Sequence, residues 1–226
     1  MTISSVIALE YPDKIEAYMG LVNMALGVGL ASGPAFTTLL EVWFDYIVIE
    51  YFFSGFIILT GIASAWVVPK RIDAERNEEG AEKAIDVPYS EYFKNRRVLM
   101  ALIAQVISGA AICFFDPILA LRMESIGVDE DRAGLSFVTL AGAFAISAPF
   151  AGIMAESIDC RIIIQTGFVG LTVGLCLTGS LDTDSVSMTY VGLVVTGIMI
   201  ACTMVPLIPE IIGVMTNAVK KREESQ

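Results

Sequence analysis

An all-α bundle of helices that cross a lipid bilayer is the fold class this sequence predicts, and three observations carry it. Of 226 residues, 55% are hydrophobic and 17% charged, and the mean hydropathy is +0.71, too apolar for a domain that must coat its core with polar side chains. Six apolar segments, at about 17–40, 46–68, 98–121, 133–154, 162–181 and 189–215, each approach the ~20 residues needed to cross a ~30 Å hydrocarbon layer at ~1.5 Å per residue. Backbone N–H and C=O groups cannot stay unpaired in lipid, so segments of this length are helices, and the alternation of barrel strands is missing.

The first segment contains GLVNMALGVGLASGP, residues 20–34, where four glycines and a closing Gly-Pro interrupt an apolar run. At about 100° per residue, Gly20, Gly27, Ala31 and Pro34 share one stripe, while Ala25, Gly29 and Gly33 share a second across the helix. Small residues let membrane helices approach backbone to backbone where apolar burial supplies no driving force. This helix is therefore expected to be gripped from two sides. Pro34 removes a rung of the hydrogen-bond ladder near the C-terminal end and predicts a bend there. The second segment follows a turn bearing Trp43 and Tyr46, an interfacial aromatic pair, and has Glu50 near its start at headgroup level. Residues 1–68 thus hold two transmembrane helices.

Residues 69–97, PKRIDAERNEEGAEKAIDVPYSEYFKNRR, are rich in both charge signs and poor in apolar side chains, the composition of a mobile or only partly helical loop. Its Tyr89–Phe93 portion can form an amphipathic turn on the membrane surface. Residues 98–226 hold the other four helices and a short tail. The third span carries Gln105 and the pair Asp116-Pro117. A stripe of small residues runs along the fourth, Gly134, Ala141, Ala145, Ala148 and Gly152, and another along the fifth, Gly167, Gly170, Gly174 and Thr178, both spaced for close packing. The sixth carries Glu210 between Pro209 and Ile211.

Orientation follows from Lys and Arg. Alternate loops hold Lys14; then Lys70, Arg71, Arg76, Lys83, Lys94, Arg96 and Arg97; then Arg161; then Lys220, Lys221 and Arg222, whereas the opposite loops hold only Arg122 and Arg132. By the positive-inside rule the first set is cytoplasmic, which puts both termini there and agrees with an even number of spans. Glu10, Asp13 and Glu16 precede the first long apolar run, so the start does not read as a secretory signal.

Several function classes lose their support. Histidine is absent, which removes imidazole general-base chemistry and histidine-ligated metal sites. No phosphate-binding loop, dinucleotide fingerprint or potassium-filter run occurs, and no nucleophile–base pair stands out, so an enzyme, a cofactor and a metal centre are not expected. A net charge of −11 without a basic stripe argues against nucleic acid. The four cysteines lack CxxC spacing and read as unpaired buried thiols.

Polar groups inside spans are the candidates for function. A charge in hydrocarbon costs at least ~2.5 kcal/mol, so Asp116 and Glu210 are either solute- and proton-binding groups or helix-end carboxylates wetted by headgroups. Asn23 and Gln105 are either substrate-facing or partners in interhelical hydrogen bonds.

The spacing Gly20, eight residues, Gly29, three residues, Gly33-Pro34 resembles the antiporter signature G-x8-G-x3-GP-x2-G of the fifth helix in the major facilitator superfamily, with Thr37 in place of the last glycine. The segments FFDPILALRMESI, residues 114–126, and AGLSFVTLAGAFAISAPFAGIMAESIDCRIIIQTG, residues 133–167, are similar to helices seven to nine of its vesicular amine and polyamine branch. GIMAESIDCR, residues 152–161, resembles that superfamily's cytoplasmic gating loop: Gly152, Ala155 and Arg161 match, Glu156 replaces the aspartate, and Asp159 and Cys160 replace a glycine and a basic residue. The resemblance implies either a charge clamp there, an acidic group at a helix end pairing with a neighbouring cation, or a plain solvated turn. It also implies that the third and sixth spans line a central cavity, that the first and fourth meet between two halves, and that Asp116 stands at an acidic position of the amine branch.

The expected function is secondary transport by alternating access, with protonation of Asp116 exchanging against a small, cationic organic solute. A protonated carboxyl has no charge, so proton and cation compete for one site. The expected partners are lipid, that solute and protons. Because the resemblance covers helices five to ten, helices one to four and eleven to twelve are expected from a longer chain or a partner. The other reading is a non-transporting membrane scaffold or an inactive remnant.

Overall fold

The computed structural model describes residues 14–67, 95–128, 130–179 and 185–214, together with Ile7 and Tyr11. Among them six helices occur and no strand: α1 (Ile15–Glu41), α2 (Tyr46–Val67), α3 (Arg96–Ser125), α4 (Glu130–Ser157), α5 (Cys160–Thr178) and α6 (Val186–Met204). All six are long and apolar enough to cross a membrane. The expected 69–97 loop lies outside the described residues except for 95–97, as does the Tyr89–Phe93 turn. The helix of α1 continues through position 34; the side chain of Pro34 lies outside the described residues.

Contacts divide the chain into two compact units, Met1–Ala35 with Tyr89–Gln226, and Phe36–Pro88. In the second unit, the described part is the end of α1, a turn at 42–45 and α2. Helix α2 is apolar around its whole circumference and leaves Ile47, Tyr51, Phe56, Ile58, Leu59 and Ile62 exposed, with Ile49 buried. So large an exposed apolar surface suits lipid or further helices rather than water. Trp43 and Tyr46 are exposed at one end of it, and Trp66, 89% exposed, at the other. Tyr46 and Trp66 stand about 30 Å apart along the axis at ~1.5 Å per residue, the thickness of a hydrocarbon core.

The first unit is built on α6, the most buried span. Its small residues set the spacing. A Cβ added at Gly192 would lie 2.6 Å from the backbone nitrogen of Thr178 on α5, and one at Gly197 2.5 Å from the carbonyl oxygen of Leu140 on α4. From the other side, Gly174 of α5 meets Thr196, and Gly167 meets Cys202 and Thr203. The α5 stripe read from the sequence is thus the seam with α6. Leu140, Phe144, Leu171, Leu193, Ile200 and Val205 form the apolar core around it.

Helix ends follow local chemistry. Asn95 and Asp159 cap α3 and α5, each accepting from the backbone N–H two residues on. Helix α3 closes at Gly127, whose φ of 78° suits glycine; Gly127 donates to Glu124 and Val128 to Met123, satisfying the last carbonyls. After α6 a turn at Val205–Pro206 leads into residues 207–214, helical again. Pro206 and Pro209 lack the N–H groups that would reach Cys202 and Val205, which accounts for the interruption. Among the described residues the four cysteines are unpaired. Cys113 and Cys176 are exposed rather than buried, a correction that follows from their places on sides of α3 and α5 that no other described helix covers.

Candidate functional site

The two glycine stripes of α1 do different things. A Cβ at Gly20 would lie 2.9 Å from the carbonyl oxygen of Ala148 and 3.2 Å from Gly152 Cα, and one at Gly27 would lie 2.7 Å from Ala145 Cα. Gly152 returns the contact, its added Cβ falling 2.7 Å from the Glu16 carbonyl oxygen. Helices α1 and α4, the pair that the resemblance puts in contact, therefore run antiparallel with backbones touching. The second stripe is not gripped: around Gly29 and Gly33 an added Cβ meets nothing within 4 Å. The expectation of contact on two sides is corrected to contact on one and open space on the other.

That open space is a cavity of about 290 Å³. Gly29, Leu30 and Gly33 form its α1 wall, with Ile112 of α3, Phe137, Leu140, Ala141 and Phe144 of α4, and Ile200 of α6 opposite. Among the described residues no charged side chain lines it. A glycine-walled apolar chamber between four helices, with polar groups nearby, is the form of a small-molecule site.

The polar neighbours are on α3. Gln105 and Ser108 lie within one stripe that leads to Ile112 at helical spacing. The Oε1 of Gln105 and the Oγ of Ser108 are buried without a hydrogen-bond partner among the described residues. Such orphans cost about 1–3 kcal/mol each, so a water or a bound solute would be stabilised beside them. Asn23 differs, since its side-chain amide donates to the Met19 carbonyl oxygen at 2.8 Å within its own helix. Asp116 is on the α3 backbone one turn beyond Ile112; its side chain lies outside the described residues.

Glu210 is elsewhere, beyond the Val205–Pro206 turn at the end of the unit that carries Arg96, Arg97 and Arg161. Its Oε1 accepts from Arg161 Nε at 3.2 Å, joining the start of α5 to the last helical turns after α6. Arg161 Nε lies 3.9 Å from Asp159 Oδ1 as well. Glu156 is exposed, and the carboxylates within ion-pair distance of Arg161 among the described residues are Asp159 and Glu210. A cation–carboxylate pair thus exists at the GIMAESIDCR loop, with a partner 49 residues along the chain. Sequence proximity pointed to Glu156, but that side chain sits on the uncovered end of α4. Alternation of the spans, which returns residue 210 to the end where 161 starts, was the available signal.

The side chain of Glu210 is 19% exposed and that of Arg161 47%, so their removal is not symmetric. Arg161→Ala leaves a mostly buried carboxylate without its cation and is expected to cost about 1 kcal/mol after allowing for solvent screening. Glu210→Gln leaves the arginine free to hydrate and should cost less. Thermal unfolding in detergent would read the order; a larger loss for Glu210→Gln would show that the pair does not hold the two elements together.

Three curated proteins match this chain, all named MFS-type transporter SLC18B1. The Mus musculus protein is 28% identical over 223 residues, covering 93% of this chain and 46% of its own length. The Rattus norvegicus and Homo sapiens proteins are 28% and 26% identical over 156 residues, covering 68% of this chain and 32% of their own lengths. This chain is similar to these MFS-type transporters. It spans about half the length of the mouse relative it matches. No family model matches the chain, and no solved structure does. An integral, multi-pass membrane protein is what the six apolar helices and these transporter relatives support.

Among the described residues, no group of three or more Cys, Asp or Glu side chains could hold a metal ion. Sequence reasoning missed Ser108 and Phe137. A serine in an apolar helix carries no signal until its stripe is known to face inward, and a phenylalanine becomes a cavity wall only through the glycines opposite.

Proposed function

We propose that this chain contributes to a secondary transporter that moves a small organic solute by alternating access, with both termini on the cytoplasmic side. The match to MFS-type transporters over 93% of the chain is the observation that carries this reading. The cavity supports a solute with a compact apolar body, because its described lining offers aromatic and aliphatic carbon. Gln105 and Ser108 provide orphan hydrogen-bonding atoms on the approach from one end, and Asp116 stands one turn from the chamber toward the other. A cationic head at Asp116 with its apolar part against Phe137 and Phe144 satisfies both, and proton binding to the same carboxyl would release the cation. The Arg161–Glu210 pair supports a gating role, since it ties the segment beyond the Val205–Pro206 turn to α5 and can break and re-form as that end opens.

Uptake assays on proteoliposomes test the proposal. With a pH gradient imposed, organic amines of graded apolarity are expected to accumulate when this chain is reconstituted together with helices equivalent to one to four and eleven to twelve. Absence of pH-driven uptake from that complete set, with all parts inserted, would favour a non-transporting scaffold.

A further inference from the structure

The end of the first unit that carries Arg161 holds a second cleft, of about 330 Å³, outside the solute cavity. Its rim is cationic: Arg96 and Arg97 from the first turn of α3 and Arg161 from the first turn of α5, against Glu210 in the lining and Asp159, whose Oδ1 lies 3.9 Å from Arg161 Nε. The rest of its lining is mostly apolar, Met100, Ala101, Ala104, Ile164 and Leu207, with Gln165 the one uncharged polar side chain among the described residues. Among the described residues no carboxylate pairs with the guanidinium of Arg96 or Arg97. Both helices present their N-terminal ends here; Asn95 and Asp159 each accept one of the first backbone N–H groups, and the helix dipoles still favour an anion. Guanidiniums bind phosphate oxygens in fork geometry.

A cleft that is cationic where it meets water and apolar one turn deeper matches a molecule with an anionic head and hydrocarbon tails. We infer that it is a binding site for an anionic phospholipid, with the phosphate held by Arg96, Arg97 and Arg161 and an acyl chain lying along Met100, Ala104 and Ile164. Basic pockets between spans on the cytoplasmic side are suited to such headgroups, because anionic lipid is concentrated in that leaflet. The leaflet assignment rests on the orientation proposed above; the binding chemistry does not. An occupied site would brace α3 against α5 beside the Arg161–Glu210 pair, so lipid content would adjust how readily that end opens.

Native mass spectrometry of the detergent-purified chain reads lipid binding without reference to transport or topology. Phosphatidylglycerol is expected to be retained over phosphatidylcholine, and R96A/R97A to weaken its retention by about thirtyfold, from ~1 kcal/mol per arginine. R76A/K83A, which removes the same charge from the 69–97 segment, should leave retention unchanged, and R96K/R97K should keep most of it. Equal loss in R96A/R97A and R76A/K83A would overturn the assignment, as general surface charge would then suffice. So would displacement by glycerol phosphate at the concentration of the lipid, which would mark a site for a soluble phosphate. Binding that emerges only once Glu78, Glu79 and Glu82 are changed to Gln would mean that the chain's own acidic segment fills the cleft, and would overturn it too.

Discussion

Gly27→Val is expected to detach α1 from α4. The added Cβ would stand 2.7 Å from both Ala145 Cα and Ala145 Cβ and 2.8 Å from a ring carbon of Phe144. Phe144 can rotate, but an α-carbon cannot yield without moving its helix. Over-packing of a tight contact costs about 1–3 kcal/mol where side chains can adjust, and a clash with backbone belongs at or above the upper end. Gly20 and Gly152 sit on the same seam, so separation at Gly27 opens the neighbouring contacts too. Thermal unfolding and size-exclusion behaviour in detergent would report it as a lowered midpoint and a broadened peak. Gly29→Val is the matched comparison: same helix, same substitution, and nothing within 4 Å of the new Cβ. It should leave stability unchanged while filling part of the cavity and weakening solute binding. Equal destabilisation by the two variants would mean that the seam is not where α1 is held.

Asp116→Asn is expected to abolish proton-driven uptake by the reconstituted transporter while leaving the protein folded. Asparagine keeps the shape and the hydrogen-bonding carbonyl but neither ionises nor exchanges a proton in this range. A hydrogen bond to a charged group contributes about 1.5–3 kcal/mol, so affinity for an organic cation should fall by roughly ten- to a hundredfold. Uptake in the presence and absence of a pH gradient separates the two effects. Loss of the gradient's advantage together with weaker cation binding is the expected pair of results. Full proton-driven uptake in the variant would remove Asp116 from the coupling step.

The helices were largely legible before the structure, and the reason is the solvent. In lipid a backbone has few ways to satisfy its polar groups, so an apolar run of sufficient length fixes an element by itself. The 46–68 reading and the observed Tyr46–Val67 coincide over the described residues, position 68 lying outside them. Contacts between helices were legible in part. A stripe of small residues marks a face able to touch, as Gly167, Gly170 and Gly174 do against α6, but not whether a neighbour arrives. Gly29 and Gly33 look like Gly20 and Gly27 in sequence and border a void instead. Long-range pairing was least legible. Nothing near residue 161 announces residue 210, and the nearer Glu156 satisfied the local pattern equally well. Trp66 was also overlooked, although an aromatic residue shortly before Lys70 and Arg71 is how a membrane boundary reads in sequence.

The rings at the two ends of α2 act as a caliper. Each is stabilised among headgroups, so the pair favours one bilayer thickness, near 30 Å for an upright helix. A thicker membrane draws one ring down among the acyl chains, and a thinner one makes the helix lean, each at a fraction of a kcal/mol per Å. Membranes of different depth would therefore hold this helix at different inclinations, set by the spacing of two aromatic side chains.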